Sequence, residues 1–325
     1  MEERNGMTDN LPENGGRRLT ERKKKKRKLG RVYSIILFLL IGVMCFSAYK
    51  IISQLIIYKK AADSYSNLQS EVISVVQATP AATKPQASGA ANPGGSQGNP
   101  GTQSGNDPAQ ATDPAATGES GEANEPAAPS YAAPYEGLPL LSVDFEALKN
   151  RNSDVLGWLY GQHDGWVSLP VVQGTNNSYY LHRLLDGSYN FAGTLFVDYR
   201  NKFLEDDISY IYGHHMKNDS MFGRLDDYDS YEYYQANPVF RFYTPDAVYD
   251  FYVVAAVRTT TREELFLTFQ DEEQFMEKVE SFRERSAYRT DVDVQYGDKL
   301  VCLYTCAYHV DDGRYFLICK AVRVG

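Results

Sequence analysis

The chain predicts a mainly β domain closed into a barrel, carried behind a membrane anchor and a linker poor in apolar residues. Three observations carry this reading. An uncharged apolar run stands near the N terminus, and a 54-residue stretch then lacks every Leu, Ile, Val, Met, Phe, Tyr and Trp. Beyond it, short runs rich in Val, Ile, Tyr and Phe alternate with Gly, Pro, Asn or Asp, which is how strands and their turns read.

The 325 residues carry a net charge of −9, but the charge is segregated. Residues 1–31 hold 11 of the 33 basic residues and five of the 42 acids, so about +6 lies there and about −15 in the remainder. That distribution excludes a uniformly basic nucleic-acid binder, and no nucleic-acid partner is expected. Four cysteines at unequal positions exclude a small disulfide-stapled scaffold.

Residues 32–49 (VYSIILFLLIGVMCFSAY) run 18 positions without a charge, roughly 27 Å of helix and enough to span a bilayer core. A cleaved signal peptide is the rival, but its apolar region is shorter and ends in a small-x-small site, which is not evident here. The basic cluster precedes the span, so the N terminus is expected in the cytoplasm and everything after about residue 50 outside the cell membrane. Residues 50–76 then read as a frayed juxtamembrane helix. Tyr65, Leu68, Val72 and Val75 suggest a seam, though one shorter than a coiled coil requires. Residues 77–137 read as a disordered linker, a tether that would let the domain reach outward from the membrane.

The domain proper is expected over residues 138–325. A short helix is predicted at 143–152. Strands are predicted at 167–173, 193–199, 208–213, 239–244, 248–258, 299–308 and 314–324. One helix interrupts them at about 271–286, where Asp271 and Gln274 form a capping-box-like start and Phe275, Val279 and Phe282 recur at helical spacing. Many strands with few helices indicate a barrel rather than a doubly wound α/β sheet.

Cys306 ends one predicted strand and Arg314 begins the next, so a thiol and a guanidinium come close across a short connection. A nearby cation favours thiolate, and Arg donors can hold an oxygen that becomes negative in acyl transfer. For a partner base, His214 and His215 follow another strand and point to opposite faces if it continues; His309 is a local rival. Cys302 and Cys319 read as small buried hydrophobes, and all thiols are expected free. A zinc site from Cys302, Cys306, His214 and His309 lacks the usual ligand spacing, so no metal or cofactor is expected.

These segments resemble a sortase of class B. LYTC, ending at Cys306, is similar to the Leu-x-Thr-Cys nucleophile motif; YGHH followed by MF is similar to the histidine motif; Arg314 matches the arginine on the next strand. NSDVLGWLY (152–160), LPVVQGTNNSYYLHR (169–183), GTLFVDYRN (193–201) and the helix at 271–286 extend the likeness over roughly residues 140–325. It implies an eight-stranded barrel and a cysteine transpeptidase of Gram-positive bacteria that anchors surface proteins. Cys306 would be the nucleophile, His214 the histidine and Arg314 the third catalytic residue. The implied partners are a surface protein's sorting-signal peptide, cleaved through a thioester, and an amine acceptor from peptidoglycan or a pilin lysine. Tyr304 departs from the small Ser or Thr of many members, which leaves the neighbouring pocket open at this point. The competing classes are another cell-wall cysteine transpeptidase or hydrolase, such as an L,D-transpeptidase-like protein, whose Ser-x-Gly-Cys context is missing, and a non-catalytic membrane-tethered adhesion domain.

Overall fold

The computed structural model describes residues 14–76, 132–161, 165–307 and 311–325. Most of the linker, with His163 and His309, lies outside these.

Among the described residues, eight strands close a barrel, as expected. They are β3 (Val155–Gly161), β4 (Val167–Val172), β5 (Leu195–Val197), β6 (Ile208–Tyr212), β7 (Val239–Tyr243), β8 (Val248–Thr260), β9 (Lys299–Cys306) and β10 (Gly313–Arg323). Their order around the wall is β10-β8-β7-β3-β4-β5-β6-β9, closed by β9 against β10. The β4/β5 and β6/β9 pairs are parallel and the others antiparallel.

Strand β3 is not among the expected strands, and its glycines explain why. A Cβ on Gly157 would lie 2.2 Å from the Phe242 ring, and one on Gly161 2.2 Å from Phe240. Gly157 and Gly161 are therefore sites where the aromatic side chains of β7 cross the β3 backbone.

Period-two alternation divides β9 between two cores. Val301 and Leu303 belong to a cluster with Trp158, Phe242 and Tyr315, whereas Leu300 and Cys302 pack with Phe316 and Ile318 beneath a helix. That helix, α4 (Glu272–Arg285), joins β8 to β9 and buries Phe275, Val279 and Phe282. Asp271 caps it by accepting from the Gln274 amide, as its spacing predicts. Two shorter helices, α2 (Phe145–Arg151) and α3 (Tyr231–Ala236), are capped by Asp144 and Ser230.

The N-terminal helix α1 (Asn14–Val72) runs unbroken through the expected span and beyond it. Residues 50–76 are not a frayed helix. Ala61, Tyr65, Leu68 and Val72 are buried in the same core cluster as the barrel residues, so the seam seen in the sequence is real but its partner is the barrel. Val75 stays exposed. Two short strands follow, β1 (Ile73–Val75) and β2 (Leu141–Val143), paired antiparallel. The Val76 amide also donates to the Leu140 carbonyl at 2.9 Å, so α1 and the start of the barrel domain are joined directly rather than held apart. The packed chain also resumes earlier than residue 138. The Tyr135 amide donates to Asp250, and the Tyr135 carbonyl accepts from Arg241.

Candidate active site

Cys306 ends β9, and β9 is flanked on one side by β6 and on the other by β10. Arg314 is its direct partner in the β9/β10 ladder. In an antiparallel pair such opposed residues have Cβ atoms about 4.5–5.5 Å apart on the same face. On the other flank Tyr212 pairs with Tyr304, and the contact continues past the end of β6. The Gly213 amide donates to the Tyr304 carbonyl at 3.1 Å, and the Thr305 hydroxyl donates to the Gly213 carbonyl at 2.8 Å. Ile208, Tyr210 and Tyr212 contact the outer core, so alternation carries His214 to that same face.

Cys306, His214 and Arg314 line one cavity of about 330 Å³, together with Tyr212, Tyr304 and Leu181. His215 is turned elsewhere, its Nε2 lying 3.0 Å from the Asp226 carboxylate. Period two thus separates the two histidines once the face is known. Cys302 and Cys319 are buried, burial pushes both thiols up, and all four cysteines are free.

The His214 ring is fixed from two directions. Its Nε2 lies 2.7 Å from the Leu181 carbonyl, which can only accept, so Nε2 carries the proton and donates, leaving Nδ1 with the lone pair when the ring is neutral. The ring also packs against the His182 and Phe191 rings at centroid distances of 5.3 and 5.1 Å, with the ring planes near parallel. Burial and the neighbouring His182 push the His214 pKa below its usual value, opposed by the Leu181 bond. Near neutral pH the ring is therefore a neutral base.

The Arg314 guanidinium donates to the Gly313 carbonyl at 2.8 Å through one nitrogen and lies beside the Tyr304 hydroxyl. The Tyr304 ring packs against Tyr212 and Phe316, each at 4.8 Å. Tyr212 in turn donates to Asp198, which Arg200 holds in a two-point ion pair. Large aromatics, rather than a small residue, therefore form the wall beside Cys306.

The sequence reading does not find the Leu181 carbonyl, His182 or Phe191. A backbone acceptor has no residue signature. The His182 ring comes from Tyr180–His182, a 3₁₀ turn, and the Phe191 ring from the loop that follows it; their place beside His214 depends on the closed barrel.

The sortase domain family model matches residues 164–324. Sortase B of Staphylococcus aureus is 28% identical over 184 residues, covering 55% of this chain and 75% of that protein. Sortase B of Listeria monocytogenes is 34% identical over 165 residues, 49% of this chain and 65% of that protein. A solved sortase B from Bacillus anthracis is similar at 32% identity with a TM-score of 0.51, over 55% of this chain and 84% of that one.

Proposed function

The chain belongs to the class B sortases and is a sortase-type cysteine transpeptidase, and from that premise we propose Cys306, His214 and Arg314 as its catalytic residues. The supporting observation is that Arg314 pairs with Cys306 on one side of β9, that β6 on the other side pairs through Tyr212 and Tyr304 and leads through Gly213 into His214, and that all three side chains line one cavity.

His214 Nδ1 takes the Cys306 thiol proton, and Sγ attacks the scissile carbonyl of the sorting signal. The carbonyl oxygen becomes negative and accepts hydrogen bonds from Arg314 donors not engaged by Gly313. Collapse breaks the C–N bond, Nδ1 returns the proton to the leaving amine, and the acyl group remains on Sγ as a thioester. An incoming amine then loses a proton to Nδ1 as it attacks. The thiolate leaves, and Nδ1 returns that proton to Sγ. A depressed His214 pKa suits both proton-accepting steps.

The family acts on sorting-signal substrates and an amine acceptor, and one solved sortase B is complexed with a triglycine peptide. For this chain the acceptor is a peptidoglycan cross-bridge amine or a pilin lysine. The enzyme is held at the cell surface by the single apolar span of α1, with its N terminus inside. The direct test incubates the full-length enzyme with a sorting-pentapeptide library and triglycine. A transpeptidation product from the native chain, and none from Cys306→Ala, is the expected result. Undiminished product from Cys306→Ala would overturn the nucleophile assignment.

A further inference from the structure

Exposed apolar residues on α1 do not stop at the end of the expected span. Ile51, Ile52, Leu55 and Ile56 are each more than half exposed, and the run from 32 to 57 is about 39 Å of helix. That length exceeds a hydrocarbon core of about 30 Å and approaches the 40–45 Å of core plus headgroup layers. The charge within it, Lys50, has a long stem that can carry its ammonium to the headgroups. When residue 32 sits at the inner boundary, Ile57 sits at the outer headgroup level.

The barrel is hydrogen-bonded to α1 at that level. The Asn190 side chain donates to the Ile57 carbonyl at 3.2 Å, and Lys60 lowers the Asp186 pKa through its charge, after the Ser188 hydrogen bonds that lower it more. Farther along, the Tyr65 hydroxyl donates to the Gly193 carbonyl at 2.6 Å. The segment between residues 183 and 194 therefore runs along the helix just above the span. The residues flanking Asn190, Tyr189 and Phe191, are 67% and 48% exposed. Aromatic rings with one wet side are the side chains that settle at a membrane interface.

We infer that Tyr189 and Phe191, with the exposed α1 residues 51–56, form one lipid-facing surface that seats the barrel on the outer leaflet. The partner is the bilayer surface itself. Continuity selects it, because the same rigid helix that crosses the membrane holds the aromatic pair at headgroup height. Phe191 also stacks on His214, so the seat places the reactive cavity within a ring's width of the lipid. The inference rests on the reading of α1 as a membrane span and is independent of the catalytic assignment.

The test uses the full-length protein in phosphatidylcholine–phosphatidylglycerol vesicles with acyl chains brominated close to the headgroup. Single tryptophans are introduced by Tyr189→Trp, by Phe46→Trp within the span, and by Tyr296→Trp near the start of β9, at the opposite end of that strand from Cys306; the signal of the parent protein is subtracted. Emission from Tyr189→Trp should shift to the blue and be quenched, as should that of Phe46→Trp, while Tyr296→Trp stays bright. Quenching at Phe46→Trp without quenching at Tyr189→Trp overturns the seat and leaves the span standing. No quenching at Phe46→Trp removes the span and the seat together. Equal quenching of all three also overturns the seat, since it would mean unoriented adsorption.

Discussion

Arg314 stands opposite Cys306 in the β9/β10 ladder, so the thiol and the guanidinium are held at strand spacing by backbone pairing rather than by a flexible loop. Arg314→Lys keeps a positive charge but loses the planar fork and its several donors. Turnover (kcat/KM) should fall about 10²–10³-fold, as it does when a donor to a developing oxyanion is removed. Peptide cleavage kinetics, with circular dichroism to verify folding, measure this. Native-like turnover by the lysine variant would show that charge alone suffices.

The two adjacent histidines should separate cleanly. His214→Ala removes the proposed proton carrier and should cost about 10²–10⁴-fold in kcat. His215, whose ring meets Asp226 away from the cavity, should leave kcat little changed when replaced by Ala. The reverse pattern would transfer the role to His215.

The acid limb of the pH–rate profile should lie below pH 6.5. Burial, and after it His182, lowers the His214 pKa, so the neutral base persists to lower pH and activity falls only as pH drops through that depressed value. His182→Gln removes one lowering influence and should move the limb upward. The readout is kcat/KM from pH 4 to 8, and an unmoved limb would exclude coupling between the stacked rings.

Arg241 and Asp250 form a fully buried ion pair at 2.6 Å, and Arg241 also donates to the carbonyls of Tyr135, Leu138 and Pro139. The pair ties the start of the packed domain to the β7/β8 hairpin. Asp250→Ala leaves an uncompensated buried cation and should destabilise by about 3–5 kcal/mol in urea unfolding. A loss below about 1 kcal/mol would mean that the carbonyls alone satisfy the guanidinium.

Glu263 secures the β8–α4 connection, whose Leu265 lines the cavity. Burial raises its pKa, but hydrogen bonds from Arg285, Lys278 and Thr259 outweigh this and hold it at about 2. A carboxyl held below its unfolded value adds stability that is present above pH 4.5 and is lost as pH falls towards 2. Glu263→Gln should therefore cost about 1–2 kcal/mol at pH 7, less than the full shift implies because solvent screens the site. The gap should narrow in acid, and a gap independent of pH would contradict the ion-pair origin.

The strands of the barrel were legible because their Val, Ile, Tyr and Phe runs are bounded by turn residues, and α4 because its cap and apolar spacing agree. Strand β3 was not, since Gly157 and Gly161 are glycines for the sake of Phe242 and Phe240, which lie far away in sequence. The seam of Tyr65, Leu68 and Val72 shows the same limit. Periodicity reveals that a face is apolar, but what covers it is decided by tertiary packing. At the site, the sequence supplied the cysteine, the arginine and a choice of histidines. The face that makes the choice appears once β6 is paired with β9, and the Leu181 carbonyl has no sequence signal at all.

The pairing of β1 with β2 has a consequence for how the protein would withstand proteases. A cut anywhere in residues 77–131 severs the peptide link between α1 and the barrel. The pieces still meet through the β1/β2 ladder, the buried faces of Tyr65, Leu68 and Val72, and the Tyr65 hydrogen bond to Gly193. A nicked chain would run as two bands on a denaturing gel and as one body in native conditions, with the barrel still held to α1 by noncovalent contacts.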